Sequence, residues 1–239
     1  GAGSGEGEME EVKVIDLPTE HWSGRGGQRI EYVVIHGTDD PNNGTVHSTA
    51  QYLRKNKRGV SAHEVVGGRV VYRMLGAERA AHTVGFSRLP DGSTGLLANQ
   101  KTWNIEGQQL RGRAMDVVTR ATLLERVVER CIWLGWGRKE IVEGRRVLGH
   151  YEIDTRGKSC PGPGWYREMD QVREEVARMV EERQGPTLKQ QATAARWLSE
   201  DITRDVEGLL AGSGGTTLPL VRTKLLNLVR LLYEVEGAV

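Results

Sequence analysis

The spacing of apolar residues changes along the chain, and each change predicts an element. In RIEYVVIH, residues 29–36, an unbroken apolar run from Tyr32 to Ile35 predicts a central strand covered on both faces and ending at His36. The GTDDPNNG that follows reads as loop. A short helix is expected over Thr45 to Lys55, capped by Thr45 or Asn43, and SAHEVVGGRVVYRML reads as two strands turning at Gly67-Gly68. From Asp116 to about Leu134, Val117, Val118, Leu123, Leu124, Val127, Val128, Cys131 and Ile132 recur at helical spacing, and Gly135 and Gly137 end the run. Residues 170–183 predict another helix, charged on its outer face.

Strands interspersed with helices indicate an α/β domain over residues 11–184, with a mixed central β-sheet flanked by helices. Residues 1–10 read as a flexible segment or cloning scar, and no secretory signal is visible. After Gln184-Gly185-Pro186 the pattern becomes two amphipathic stretches, 188–211 and 218–235, separated by GSGGTT. This predicts a C-terminal α-helical hairpin over 185–239. A unit of that size does not bury its own apolar stripe, so it packs on the first domain, on a second copy as a homo-oligomer, or on a partner.

Charge narrows the class of partner. With 33 Lys+Arg against 32 Asp+Glu in 239 residues, the net charge is +1, which argues against a strongly basic nucleic-acid binder. No apolar run approaches the length of a membrane span, so no membrane insertion is expected. Two cysteines, Cys131 and Cys160, are too few for a disulfide scaffold. Cys131 falls on the helical stripe and reads as core.

The chemistry concentrates in GHYEIDTRGKSCPGPG, residues 149–164, where His150, Lys158 and Cys160 share a Gly- and Pro-rich loop. A His and a thiolate on one loop suit Zn²⁺, whose catalytic sites take three protein ligands plus water. His36, at the carboxyl end of its strand, is a candidate third ligand; a loop thiol, or a disulfide to Cys131, is the plainer reading of Cys160. Trp103, Trp165 and Tyr166 either stack on sugar rings or pack internally, and His21 and His47 read as surface residues.

The succession VVIHGT, SAHEVVGGRVVYRML, AAHTVG, ANQKTWNIEG and VLGHYEIDTRGKSCPGPG resembles the zinc-dependent N-acetylmuramoyl-L-alanine amidases of the type 2 amidase and peptidoglycan recognition protein superfamily, over roughly residues 29–166. The resemblance implies that fold, with His36, His150 and Cys160 as zinc ligands and Lys158 as a catalytic cation. Residues 99–106 are similar to an N-x-x-S-I-G-I-E strand whose Glu falls on Glu106, which implies Glu106 as general base, with Glu64 as a rival carboxylate. His63 and His82 sit in segments similar to the family's and either line the cleft near the substrate or fill a hydrogen-bonded structural role, and Trp103 is the aromatic candidate for substrate contact. Three positions depart from the pattern: Gly37 replaces the second His of IHHT, Ala62 stands where some members carry a catalytic Tyr, and Ala81 replaces the Trp of WHAG.

The implied activity is hydrolysis of the amide between N-acetylmuramic acid and L-alanine, with peptidoglycan as partner and Zn²⁺ as cofactor. An endolysin-like wall hydrolase made in the bacterial cytoplasm, including one that is phage-encoded and holin-released, fits that activity. The alternative is a non-catalytic peptidoglycan-binding or regulatory module on the same fold.

Overall fold

The computed structural model describes residues 11–38, 44–162, 165, 168–185, 198–199, 202–203, 206–207, 221 and 223–228. It divides into two compact units, Gly1–Val180 and Glu181–Val239. The first contains strands β1 (Lys13–Asp16), β2 (Trp22–Gly24), β3 (Tyr32–Gly37), β4 (Glu64–Gly67), β5 (Val70–Arg73), β6 (Arg79–Ala81), β7 (Thr102–Gly107) and β8 (Val147–Gly149). Helices α1 (Val46–Lys55), α2 (Gly95–Lys101) and α3 (Val117–Trp133) lie between them, and α4 (Met169–Gln184) crosses the unit boundary.

Six strands form one mixed sheet in the order β1-β5-β4-β7-β3-β8, and β2 pairs with β6 in a separate antiparallel ribbon. Only the β4–β5 hairpin is antiparallel in the large sheet, so β4, β7, β3 and β8 run side by side in one direction. Both faces are covered, which explains the unbroken apolar run of β3. Val33 and Ile35 face a core with α3 and α4, built with Leu123, Val127 and Val176. Tyr32 and Val34 face the other way, toward Ala98 of α2 and Leu148. Alternating sides along an extended strand thus serve two hydrophobic layers.

Local chemistry sets the ends of the expected helices. Thr45 caps α1, its side chain accepting from the Ser48 amide at 3.2 Å. Asp116 caps α3 by accepting from the Thr119 amide at 2.9 Å. The β4–β5 turn places Gly68 at φ +56°, a left-handed conformation cheap only for glycine. The α3 stripe is narrower than the spacing predicts: Leu123, Leu124, Val127, Val128 and Cys131 are buried, whereas Val117 and Val118 in the first turn are exposed. His47 is exposed and His21 half-buried.

In the second unit the described residues 198–199, 202–203, 206–207, 221 and 223–228 are helical. Most of the expected hairpin over 185–239, and Tyr166, lie outside the described residues. Among the described residues, no helix is long and apolar enough to cross a membrane.

Candidate metal centre

The parallel direction of β7, β3 and β8 brings three sequence-distant groups to one edge of the sheet. His36 is the fifth residue of β3, and its register partner on β7 is Glu106, so the two side chains share a face; the separation from Nδ1 to Oε1 is 3.9 Å. Next door, β8 ends at Gly149, and His150 opens a single 3₁₀ turn. That turn is pinned from both sides. Glu152 accepts from the Gly149 amide at 2.9 Å and from the buried Arg173, and the Tyr151 amide donates to the Cys160 carbonyl at 2.7 Å. The second contact holds the Cys160 loop against the His150 turn. The Cys160 sulfur in turn accepts from the Gly37 amide at 3.2 Å.

His36, His150 and Cys160 thereby present one ligating atom each, all within 4.8 Å of one another. Nδ1 of His36 is 3.1 Å from Nδ1 of His150 and 3.8 Å from the Cys160 sulfur. Tetrahedral zinc with ordinary bond lengths separates two nitrogens by about 3.3 Å and a nitrogen from a sulfur by about 3.6 Å. The donors are spaced for such an ion. Their protonation also suits it. The Nε2 of His150 faces the Asp154 carboxylate at 3.5 Å and the Ser87 hydroxyl at 3.3 Å, which places the ring hydrogen there and a lone pair on Nδ1.

Electrostatics point the same way. Burial holds His36 well below the ordinary histidine range, and His150 lowers it further. Burial brings His150 down to about 4 against the pull of Asp154, so both rings are neutral at pH 7. Burial, followed by the Glu106 carboxylate, pushes the Cys160 thiol up. Burial also raises Glu106 to about 7, opposed by the Lys158 cation. Lys158 is exposed, yet its charge acts on His36, Glu106, His150 and Cys160 alike. A group of three ligands, a carboxylate near neutrality and a nearby ammonium can bind a metal, exchange a proton and face a developing anion.

The remaining sequence candidates fall elsewhere. Trp103 is 2 % exposed, stacked on His63 at 4.3 Å and covered by Arg130 at 3.4 Å, so it has no free face for a sugar. Of the two readings of Trp103, substrate contact or internal packing, the structure shows packing, because position 103 points to the opposite side of β7 from Glu106. His63 is fully buried, bonded to the Asn104 amide, Arg25 and the Arg79 carbonyl, and therefore does not line the groove. His82 is half-buried and contacts the Gly59 carbonyl. Trp165 is buried too. Glu64 lies opposite Ile105 and binds Arg126 and Arg130 of α3, on the face away from Glu106. Both cysteines are free, and Cys131 is buried core, its thiol raised to about 12 by burial.

Asn104, Asp154 and Gln109 were not foreseen. Asp154 had a faint signal, a carboxylate four residues beyond His150 on the same turn. Gln109 fills the space beside Gly37, and its Oε1 has no hydrogen-bond partner among the described residues. A concavity of about 730 Å³ at the other end of the sheet, lined in part by Ile30, Glu31, Trp133 and Arg146, contains none of the candidate groups.

The sequence profile of a family described as N-acetylmuramoyl-L-alanine amidase matches residues 26–163, more than half of the chain. Among solved structures, the catalytic domain of XlyA is similar at 17 % identity and a TM-score of 0.53, over 69 % of this chain and 99 % of that one. The hydrolase AmiA of Staphylococcus aureus, solved in complex with its ligand, is similar at 17 % identity and a TM-score of 0.54, over 74 % of this chain and 87 % of AmiA. A mutant endolysin from Bacillus subtilis is similar at 16 % identity and a TM-score of 0.53, over 69 % and 99 %. At these identities the likeness is one of fold. No curated protein sequence matches the chain.

Proposed function

Given that this chain belongs to the N-acetylmuramoyl-L-alanine amidase family, we propose that it hydrolyses the amide between N-acetylmuramic acid and L-alanine in peptidoglycan, with one Zn²⁺ held by His36, His150 and Cys160. The observation that carries this reading is the convergence of those three donors with Glu106, 3.9 Å from His36, at one sheet edge. When bound, Zn²⁺ supplies Lewis acidity toward the amide carbonyl and lowers the pKa of water to about 7.

The chain's own groups do the rest. Glu106 takes a proton from the attacking water and delivers it to the leaving amine nitrogen. Lys158 places a positive charge where the lactyl carbonyl oxygen becomes anionic. Glu106 is 13 % exposed, so its carboxyl is largely shielded from bulk water, in keeping with a pKa raised to about 7. The products are a glycan strand and a stem peptide beginning with L-alanine, so the site of action is the bacterial cell wall. A non-catalytic wall-binding role draws less support, since Cys160, Lys158 and Glu106 are all present around the ligand histidines.

Digestion of purified peptidoglycan tests the reading. New L-alanine N-termini without new reducing sugars, abolished by a chelator and restored by Zn²⁺, are expected. Release of reducing sugars instead makes the enzyme a glycosidase and overturns the proposal.

A further inference from the structure

His36 binds a metal through Nδ1 only if its ring hydrogen sits on Nε2, and something buried must hold it there. The partner of His36 Nε2 is the side-chain oxygen of Asn104, 3.0 Å away. Both residues are buried, and both point from neighbouring strands to the same face of the sheet. An amide can turn either its oxygen or its nitrogen toward an imidazole, and the two choices select opposite tautomers. The next residue in the chain of contacts decides which.

Asn104 Nδ2 lies 3.0 Å from the hydroxyl of Thr102, also fully buried. That hydroxyl donates its single hydrogen to the main-chain carbonyls of Ala98 at 3.0 Å and Asn99 at 3.3 Å in α2. Carbonyls only accept, so the Thr102 oxygen has a lone pair left for Asn104 and the amide nitrogen must face it. The Asn104 oxygen is thereby aimed at His36, Nε2 carries the hydrogen, and Nδ1 is left bare toward His150 and Cys160.

We infer that Asn104 and Thr102 are positioning residues that transmit the fixed polarity of the α2 carbonyls to His36 and so preset its metal-binding tautomer. The inference rests on the zinc-ligand reading of His36. The N-x-x-S-I-G-I-E pattern has Gly where this chain has Asn104. An orienting partner of this kind contributes roughly 10- to 100-fold to metal affinity.

The test uses the full chain and two readouts that do not depend on catalysis. Imidazole ¹⁵N chemical shifts of the metal-free protein should show His36 as the Nε2–H tautomer. Zinc titration against a chromophoric chelator should show about 10- to 100-fold weaker binding in Asn104→Leu, near-normal binding in Asn104→Asp, which keeps an acceptor oxygen, and a loss in Thr102→Val that Thr102→Ser restores. An Nδ1–H tautomer in the wild-type protein, or wild-type zinc affinity in folded Asn104→Leu, overturns the inference. The underlying zinc reading fails separately, if Cys160→Ala in an otherwise wild-type chain leaves zinc affinity unchanged. The tautomer measurement needs no variant, so a poorly folding substitution does not blunt the test.

Discussion

Gly37 and Pro161 are in contact across the ligand cluster: a β-carbon at position 37 would lie 2.8 Å from the Pro161 carbonyl oxygen, closer than ordinary packing permits. The side chain of Gln109 occupies the remaining space. The glycine that departs from the IHHT pattern is thus required by its neighbours. Gly37→Ala should cost about 1–3 kcal/mol through overpacking and weaken zinc binding, with Gly37→His worse. Adding Gln109→Ala should recover part of the loss, giving a measurable coupling in a double-mutant cycle of thermal unfolding. Additive effects would mean the two sites are independent.

Glu106→Gln should retain one zinc per chain while turnover falls about 10²- to 10⁴-fold, the usual scale for losing a general base. Metal analysis of the purified variant beside its rate on peptidoglycan checks this. Turnover near wild type would move the base role to another group.

Protonation of the same carboxyl links pH to stability in the metal-free protein. Its value is raised from 4.5 in the unfolded chain to about 7 by burial, so the folded state holds this proton more tightly. That contribution is complete below about pH 4.5 and is lost as pH rises through 7. Between pH 4 and pH 8 the metal-free wild type should lose on the order of 3 kcal/mol relative to Glu106→Gln. Urea unfolding of both proteins at the two pH values measures the difference, and a pH-independent gap would contradict it.

Zinc binding should expel a proton from Cys160. Burial keeps this thiol protonated, whereas His36 and His150 are already neutral at pH 8. At that pH, calorimetry in buffers of different ionisation heat should give about one proton more released per zinc in the wild type than in Cys160→Asp, because any proton lost by zinc-bound water is common to both. Equal release in both proteins would assign the proton to a different group.

Glu64→Ala should act on stability rather than on hydrolysis. Its carboxylate is 1 % exposed and holds Arg126 at 2.7 Å and Arg130 at 3.5 Å. Among the described residues, removing it leaves Arg126 with only Glu129 and Arg130 with only its stacking on Trp103 and Trp133, a loss of about 3 kcal/mol. Denaturant unfolding should report that loss, and zinc content should not change. Unaltered stability with abolished hydrolysis would restore Glu64 as the base.

The elements legible in the sequence are those whose pattern is long or whose turn residues are restrictive. These are the buried run of β3, the Gly-Gly hairpin and the capped helix α3. Strands β1, β2, β6 and β8 have three or four residues each, too few to establish a period, and α2 begins without a side-chain cap. For Trp103 the parity of its position relative to Glu106 decides between the two readings, since an odd offset places it on the other side of β7. Asn104 and Asp154 are different, because their roles depend on which strand or turn lies next to them. Only the register of Val34 with Asn104 makes the asparagine a neighbour of the β3 histidine.

The pairing of β3 with β8 joins Val33 to Val147, and across that seam His36 meets a ligand loop more than a hundred positions further on. Contacts so distant in sequence form late, after the entropy of closing a long loop has been overcome. During synthesis, His36 emerges well before either partner, so no partial chain can assemble the three-donor cage. Its completion is a timer as much as a structure: on the zinc reading, the cleft should become competent to capture metal only once the outermost strand of the sheet has docked.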